Sequence, residues 1–163
     1  MSEDFPGSVY GEITNKGTDK LIDIFKSNLT ESDIFYDLGS GKGKLAIDIA
    51  SKTSVKKVFG IELHKERFNE SINSLKDLNI DNVSFINKDF LDVDLSKATI
   101  VYYANEGIPK PTNDKVWDKL PKGCLLICGR RVKALENQKK YNLTEPIEKT
   151  YTSKRGNWYI IKE

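Results

Sequence analysis

Three glycines at alternate positions, Gly39, Gly41 and Gly43, constrain this chain more than any other feature. They stand in Phe35-Tyr36-Asp37-Leu38-Gly39-Ser40-Gly41-Lys42-Gly43-Lys44-Leu45, which reads as a buried strand, a tight turn and the first turn of a helix. A turn without Cβ atoms can bend sharply and lets a ligand come close to its backbone. Asp37 sits two residues before the first glycine, where the strand should end. A second acid, Glu62, closes the next apolar run, Lys57–Ile61, and lies 19 residues after Gly43. That is about where a nucleoside-binding α/β unit holds a ribose.

Three nucleotide motifs compete for this turn. A phosphate-binding P-loop, G-x-x-x-x-G-K-[ST], fails because the sixth position counted from Gly39 is Lys44. The dinucleotide fingerprint G-x-G-x-x-G fails at the same residue. The pattern that fits is D-x-G-x-G-x-G, from Asp37 to Gly43, which looks like the first motif of the class I S-adenosylmethionine-dependent methyltransferases. S-adenosyl-L-methionine is therefore the expected cofactor, with S-adenosyl-L-homocysteine as its product.

The length of 163 residues suits one domain with one core. The expected layout is a single domain over 1–163, with a loop or lid over 1–16, a leading helix over 17–30 and the core over 34–163. No apolar run approaches the length of a membrane span, and the acidic start Met1-Ser2-Glu3-Asp4-Phe5 does not resemble a secretory signal. Cys124 and Cys128 lie four apart in one apolar run, where a strand would face both the same way, and without metal spacing, so they read as reduced core residues in an intracellular protein. No metal site is expected. Residues 1–97 carry 13 Lys and Arg against 17 Asp and Glu, whereas residues 98–163 carry 13 against 7. A basic back half could meet an acidic partner such as DNA, although a solvated lysine-rich surface explains it as well.

Apolar runs and helical periodicity alternate along the chain. Thr18 is the expected cap of a helix with Leu21, Ile24, Phe25 and Leu29 on its apolar face. Strands are expected over Ile34–Leu38, Lys57–Ile61, Val83–Asn87, Thr99–Ala104 and Leu125–Cys128. Between them fall the helix after the glycines, a helix over His64–Asn79, and one capped by Thr112 or Asn113. A weak helix is expected over Val132–Lys140. The runs Ile147–Thr152 and Trp158–Lys162 around Ser153-Lys154-Arg155-Gly156 read as a closing hairpin. The expected fold is thus α/β: a Rossmann-like, seven-stranded, mostly parallel sheet with helices on both faces and a C-terminal antiparallel hairpin. Ligands then bind at the carboxyl ends of the strands.

At those ends, Asp37 suits the ammonium of the cofactor by a charge-assisted hydrogen bond. The turn Gly39–Gly43 would pass under the methionine part, and Glu62 has two oxygens for the ribose hydroxyls. Asp89 can accept from the adenine amino group while Phe90 flanks the ring. If the acceptor is a lysine amine, an aromatic channel would favour its neutral form by desolvation. Tyr10, Tyr103, Trp158 and Tyr159 are candidate walls, and plain packing accounts for any one of them equally well. Asn105, just past the central strand, can hydrogen-bond an amine there. His64, at a helix start, reads as a surface residue.

Val9-Tyr10-Gly11-Glu12, Asp37–Gly43, Gly60-Ile61-Glu62, Lys88-Asp89-Phe90-Leu91 and Ile100-Val101-Tyr102-Tyr103-Ala104-Asn105 come in the order and spacing of the non-SET histone lysine methyltransferases. The chain thus resembles the disruptor-of-telomeric-silencing family over most of its length, in a compact form. The resemblance implies that Tyr10 and Glu12 belong to a loop over the methionine part of the cofactor. It implies that Asp37, Gly39, Gly41, Gly43, Glu62, Asp89 and Phe90 bind the rest. Asn105 would lie beside the methyl group, at the mouth of a lysine channel lined by Trp158 or Tyr159. The implied activity is methylation of a protein lysine, on a histone core in nucleosomes or on a non-histone target. A small-molecule methyltransferase on the same fold is the alternative. A histone target implies the nucleus, any other the cytoplasm. Where the family has Asn-Asn-Phe, this chain has Ala104-Asn105-Glu106.

Overall fold

A computed structural model describes residues 11–26, 29–129, 139–142 and 158–161, the last two segments by their backbone. Five parallel strands form the centre of the sheet: β1 (Ile34–Leu38), β2 (Lys57–Ile61), β3 (Val83–Ile86), β4 (Ile100–Tyr103) and β5 (Leu125–Cys128). Strands β6 (Lys139–Asn142) and β7 (Trp158–Ile161) follow, and the spatial order is β3-β2-β1-β4-β5-β7-β6. β7 runs antiparallel to both of its neighbours. This differs from the expected chain path. The partner of Trp158–Ile161 is Lys139–Asn142, so an extended segment replaces the end of the expected helix over 132–140. The strand expected at 147–152 and the turn at 153–156 lie outside the described residues.

The chain leaves β1 toward β2 and β3 on one side and reaches β4 and β5 on the other. The gap between β1 and β4 is therefore the place where strand order reverses and a crevice opens at the strand ends. Strand alternation sends side chains to two cores. Phe35, Val58, Ile100, Tyr102 and Ile127 meet Leu21, Phe25, Leu45 and Ile49 on one face. Those last four come from α1 (Asn15–Phe25) and α2 (Lys44–Lys52). Tyr36, Leu38, Val101, Tyr103 and Leu126 meet Val116, Trp117 and Leu120 on the other face. There α4 (Lys110–Lys119) and the residue after it supply the cover. Cys124 and Cys128 are both buried, unbridged and on this second face.

Two helix starts differ from expectation. α1 is capped by Thr14, whose hydroxyl accepts from the Gly17 N–H at 3.1 Å, while Thr18 is fully buried within the helix. α4 starts after Pro109, with Asn113 inside it and buried. α3 (Lys65–Leu75) is shorter than its periodicity suggested. Phe68 and Leu75 pack on the core, but Ile72 and Leu78 are exposed.

Candidate functional site

The glycine turn is built into the end of β2. The Gly39 and Ser40 N–H groups both donate to the Ile61 carbonyl at 2.9 Å, and the Gly43 N–H donates to the Ser40 carbonyl at 2.9 Å. The Gly41 N–H donates to Glu62 Oε2 at 2.8 Å. Four amides of the turn are thus engaged within the protein, and they make it a rigid floor. Gly43 stands at the helix N-cap with φ +85°, where side chains are strained. A Cβ there would also overlap the Phe85 ring and press on Ser71.

Above this floor lies a cavity of about 40 Å³ between β1 and β4, lined among others by Gly11, Glu12, Asp37, Gly39, Gly41 and Lys44. Asp37 pairs in register with Tyr102 across the two strands, and both face it. The Asp37 side chain is 3% exposed, and among the described residues no donor reaches its carboxylate. Burial, and then the charge of Glu62, push its carboxyl up to about 8. A buried acid without a hydrogen-bond donor is costly in the free protein and suits a cationic guest. Ser40 also lines the cavity, while its hydroxyl is buried on the Gly60 side without a hydrogen-bond partner among the described residues. Lys44 is the wall's cation; its ammonium donates to Asp48 at 2.9 Å and to Thr18 at 3.2 Å.

The remaining expected site residues divide. Glu62 is 5% exposed and clamped: Oε1 accepts from the His64 N–H at 2.8 Å and from Arg67 at 3.3 Å, while Oε2 holds the turn. Oε1 thus uses both of its lone pairs, and Oε2 keeps one further lone pair for a ligand hydroxyl. Asp89 Oδ1 accepts from the Leu91 N–H at 2.8 Å and so caps the short 3₁₀ turn Phe90–Asp92. The Phe90 ring meets the edge of Tyr103 at 5.4 Å, on the face opposite the cavity. Tyr103 itself is buried, with its hydroxyl unpartnered among the described residues, so it walls the second core and not the cavity. Asn105 is fully buried and donates to Asn113 Oδ1 at 3.3 Å, and Asn113 donates to the Ile108 carbonyl at 3.2 Å. Asn105 is thus tied to α4 and is not among the cavity-lining residues; Ala104 is. Tyr10 and the side chains of Trp158 and Tyr159 lie outside the described residues. His64 is exposed at the start of α3.

Comparison with known proteins adds the decisive observation. The model of the family described as "Histone methylation protein DOT1" matches residues 2–157. The chain belongs to the DOT1 family. A protein-lysine N-methyltransferase of Saccharolobus islandicus is 32% identical over 97 residues, 59% of this chain and 59% of its own. A carboxy-S-adenosyl-L-methionine synthase of Nautilia profundicola is 28% identical over 141 residues, 83% of this chain and 59% of its own. The matches therefore span about 59% of the length of these two curated relatives. An RNA methyltransferase from Salinibacter ruber, solved with S-adenosyl-L-homocysteine, shares the fold. Its TM-score is 0.65 at 22% identity, over 92% of this chain and 93% of that one.

Within this DOT1-family fold, motif reading gave no site role to several cavity residues, among them Lys44, Ser40 and Tyr102. Lys44 had a usable signal, being the cation that ends the glycine turn. Tyr102 had one only in pairing, because alternation alone does not say which tyrosine of β4 shares a face with Asp37. Among the described residues, no helix is long and apolar enough to cross a membrane.

Proposed function

We propose that this DOT1-family chain is a protein lysine N-methyltransferase. The observation that carries the cofactor side is Asp37: a buried carboxylate, without a donor among the described residues, facing a cavity floored by the glycine turn. S-adenosylmethionine fits this donor set through its ammonium and its sulfonium charge. Asp37 and Glu12 would hold the methionine end, and Glu62 the ribose. Asp89 and Phe90 would receive the adenine across the strand tips. When bound, the cofactor supplies a methyl carbon already activated by the sulfonium charge, so the chain's own residues mainly position the acceptor and exclude water.

The lysine acceptor is supported by the Saccharolobus protein-lysine N-methyltransferase and by the family itself. No Asn/Asp-Pro-Pro-Tyr motif of base methylation follows β4, where Ala104-Asn105-Glu106-Gly107 stands. A histone core lysine in nucleosomes is the family's own target and the first to try; a non-histone protein lysine is the next. The basic residues 98–163 would then face the acidic partner, and DNA contact belongs to the same reading. A small-molecule acceptor is the second reading, favoured by the similarity to the Nautilia synthase.

Transfer of tritiated methyl groups from S-adenosylmethionine onto nucleosomes, free histones and whole lysate separates these readings. Label on lysine is expected. Label confined to small-molecule or lipid fractions would refute the lysine assignment. In parallel, calorimetry should show that Glu62→Ala weakens cofactor binding about tenfold or more, the loss of hydrogen bonds to a charged acceptor. An unchanged affinity would remove Glu62 from the site.

A further inference from the structure

The Glu62 carboxylate is held more tightly than a ribose hook needs to be. Of its about four lone-pair sites, three already receive a donor. Two of those donors are main-chain amides, of His64 on Oε1 and of Gly41 on Oε2, and the fold fixes their places. The third is a side chain. Arg67, in the first turn of α3, reaches back to the tip of β2 and donates to Oε1 at 3.3 Å. The pair is mostly withdrawn from water, with 25% of the arginine side chain and 6% of the glutamate side chain exposed. The main chain beneath is tied as well. The Glu62 N–H donates to the Ile86 carbonyl at 3.0 Å, and the Asn87 amide donates to the carbonyls of Glu62 and Leu63 at 2.8 and 2.9 Å. Glu62 therefore cannot swing to present both oxygens without breaking bonds made inside the protein.

We infer that Arg67 is a specificity-determining residue: by occupying Oε1, it limits Glu62 to one ribose hydroxyl, received on Oε2 beside the glycine turn. The inference rests on the proposed placing of the cofactor ribose at Glu62 and says which oxygen does the work. A ribose diol brings two O–H donors, and Oε1 has no lone pair left for the second. The guanidinium cannot take it either, because it carries donors only. Displacing Arg67 would part a nearly buried carboxylate from its cation, which costs more than one hydroxyl returns. Glu62 thus discriminates one hydroxyl of the nucleoside and leaves the other unread.

Calorimetry with S-adenosylhomocysteine and the two monodeoxy forms of its ribose tests this on the wild type alone. One monodeoxy form should bind about tenfold or more weakly than the parent, the loss of a hydrogen bond to a charged acceptor, and the other within about twofold of it. Arg67→Met, an uncharged chain of similar length, opens Oε1. In that variant both monodeoxy forms should bind about tenfold or more weakly than the parent. Taking each value as a ratio to the parent in the same variant cancels any general loss of affinity, and thermal melts check that the variant is folded. Arg67→Lys, which restores a cationic donor, should return the wild-type pattern. A wild type that loses about tenfold with both monodeoxy forms would overturn the Arg67 assignment and leave Glu62 at the ribose. So would an Arg67→Met variant that keeps the wild-type pattern. A wild type indifferent to both would remove Glu62 from the ribose, and this inference with it.

Discussion

At the scale of single residues, Asp37 makes the sharpest demand. Its carboxyl titrates near 8 because burial, followed by the Glu62 charge, disfavours the anion. A folded pKa above the unfolded one means that the native state holds the proton more tightly. The stabilisation is complete below the unfolded value, about 3.9, and is lost as pH rises through about 8. Asp37→Asn should therefore raise the Tm of the ligand-free protein at pH 8, by roughly 2–4 °C for each kcal/mol recovered, and change it little near pH 4. The same substitution should weaken cofactor binding about tenfold or more. In the wild type, cofactor affinity should climb as pH approaches about 8, because a cationic guest favours the ionised acid. Calorimetry in buffers of different ionisation enthalpy would register the released proton, and a flat profile between pH 6 and 8 would contradict the assignment.

At the scale of elements, the glycine turn is held from both sides. Phe85 of β3 lies against Gly43 and also against Gly60 of β2, so one ring locks the turn to two strands. Gly43→Ala meets that ring with a left-handed backbone at the same time. It should destabilise the fold by about 2–4 kcal/mol, measurable in urea, and Phe85→Leu should relieve part of the loss. The elements also mark what could be read in advance. β1, β2 and β5 have the bounds expected from apolar runs, because a strand buried on both faces leaves little ambiguity. Asp37, the glycines and Glu62 were legible through spacing to those strand ends. Helix starts were not. Thr14 and Thr18 are equivalent as capping residues, and only the packing of α1 on α2, which buries Thr18, decides between them. Asn113 read as a cap, yet its amide serves the bend after β4, a tertiary role that no local pattern carries. The same bend holds Asn105: it stands just past the central strand, as expected, and its amide is bonded to Asn113 of α4.

At the scale of the whole molecule, a cofactor reaching from Glu12 and Asp37 to Glu62 and Asp89 would join segments from α1's leading loop to the end of β3. Ligand at a hundredfold excess over Kd should add about 2.7 kcal/mol of stability, a rise of several degrees in Tm with S-adenosylmethionine or S-adenosylhomocysteine. A thermal melt unmoved by either would argue against the pocket as a whole. The walls of that pocket come from two distant stretches of chain, Asp37 on β1 and Tyr102 with Ala104 around β4. On the ribosome the first is made well before the second. A nascent chain that ends short of β4 possesses the acid and the hinge but no opposite wall. A guest therefore cannot rescue a half-made molecule, and only the finished sheet can be protected by what it holds.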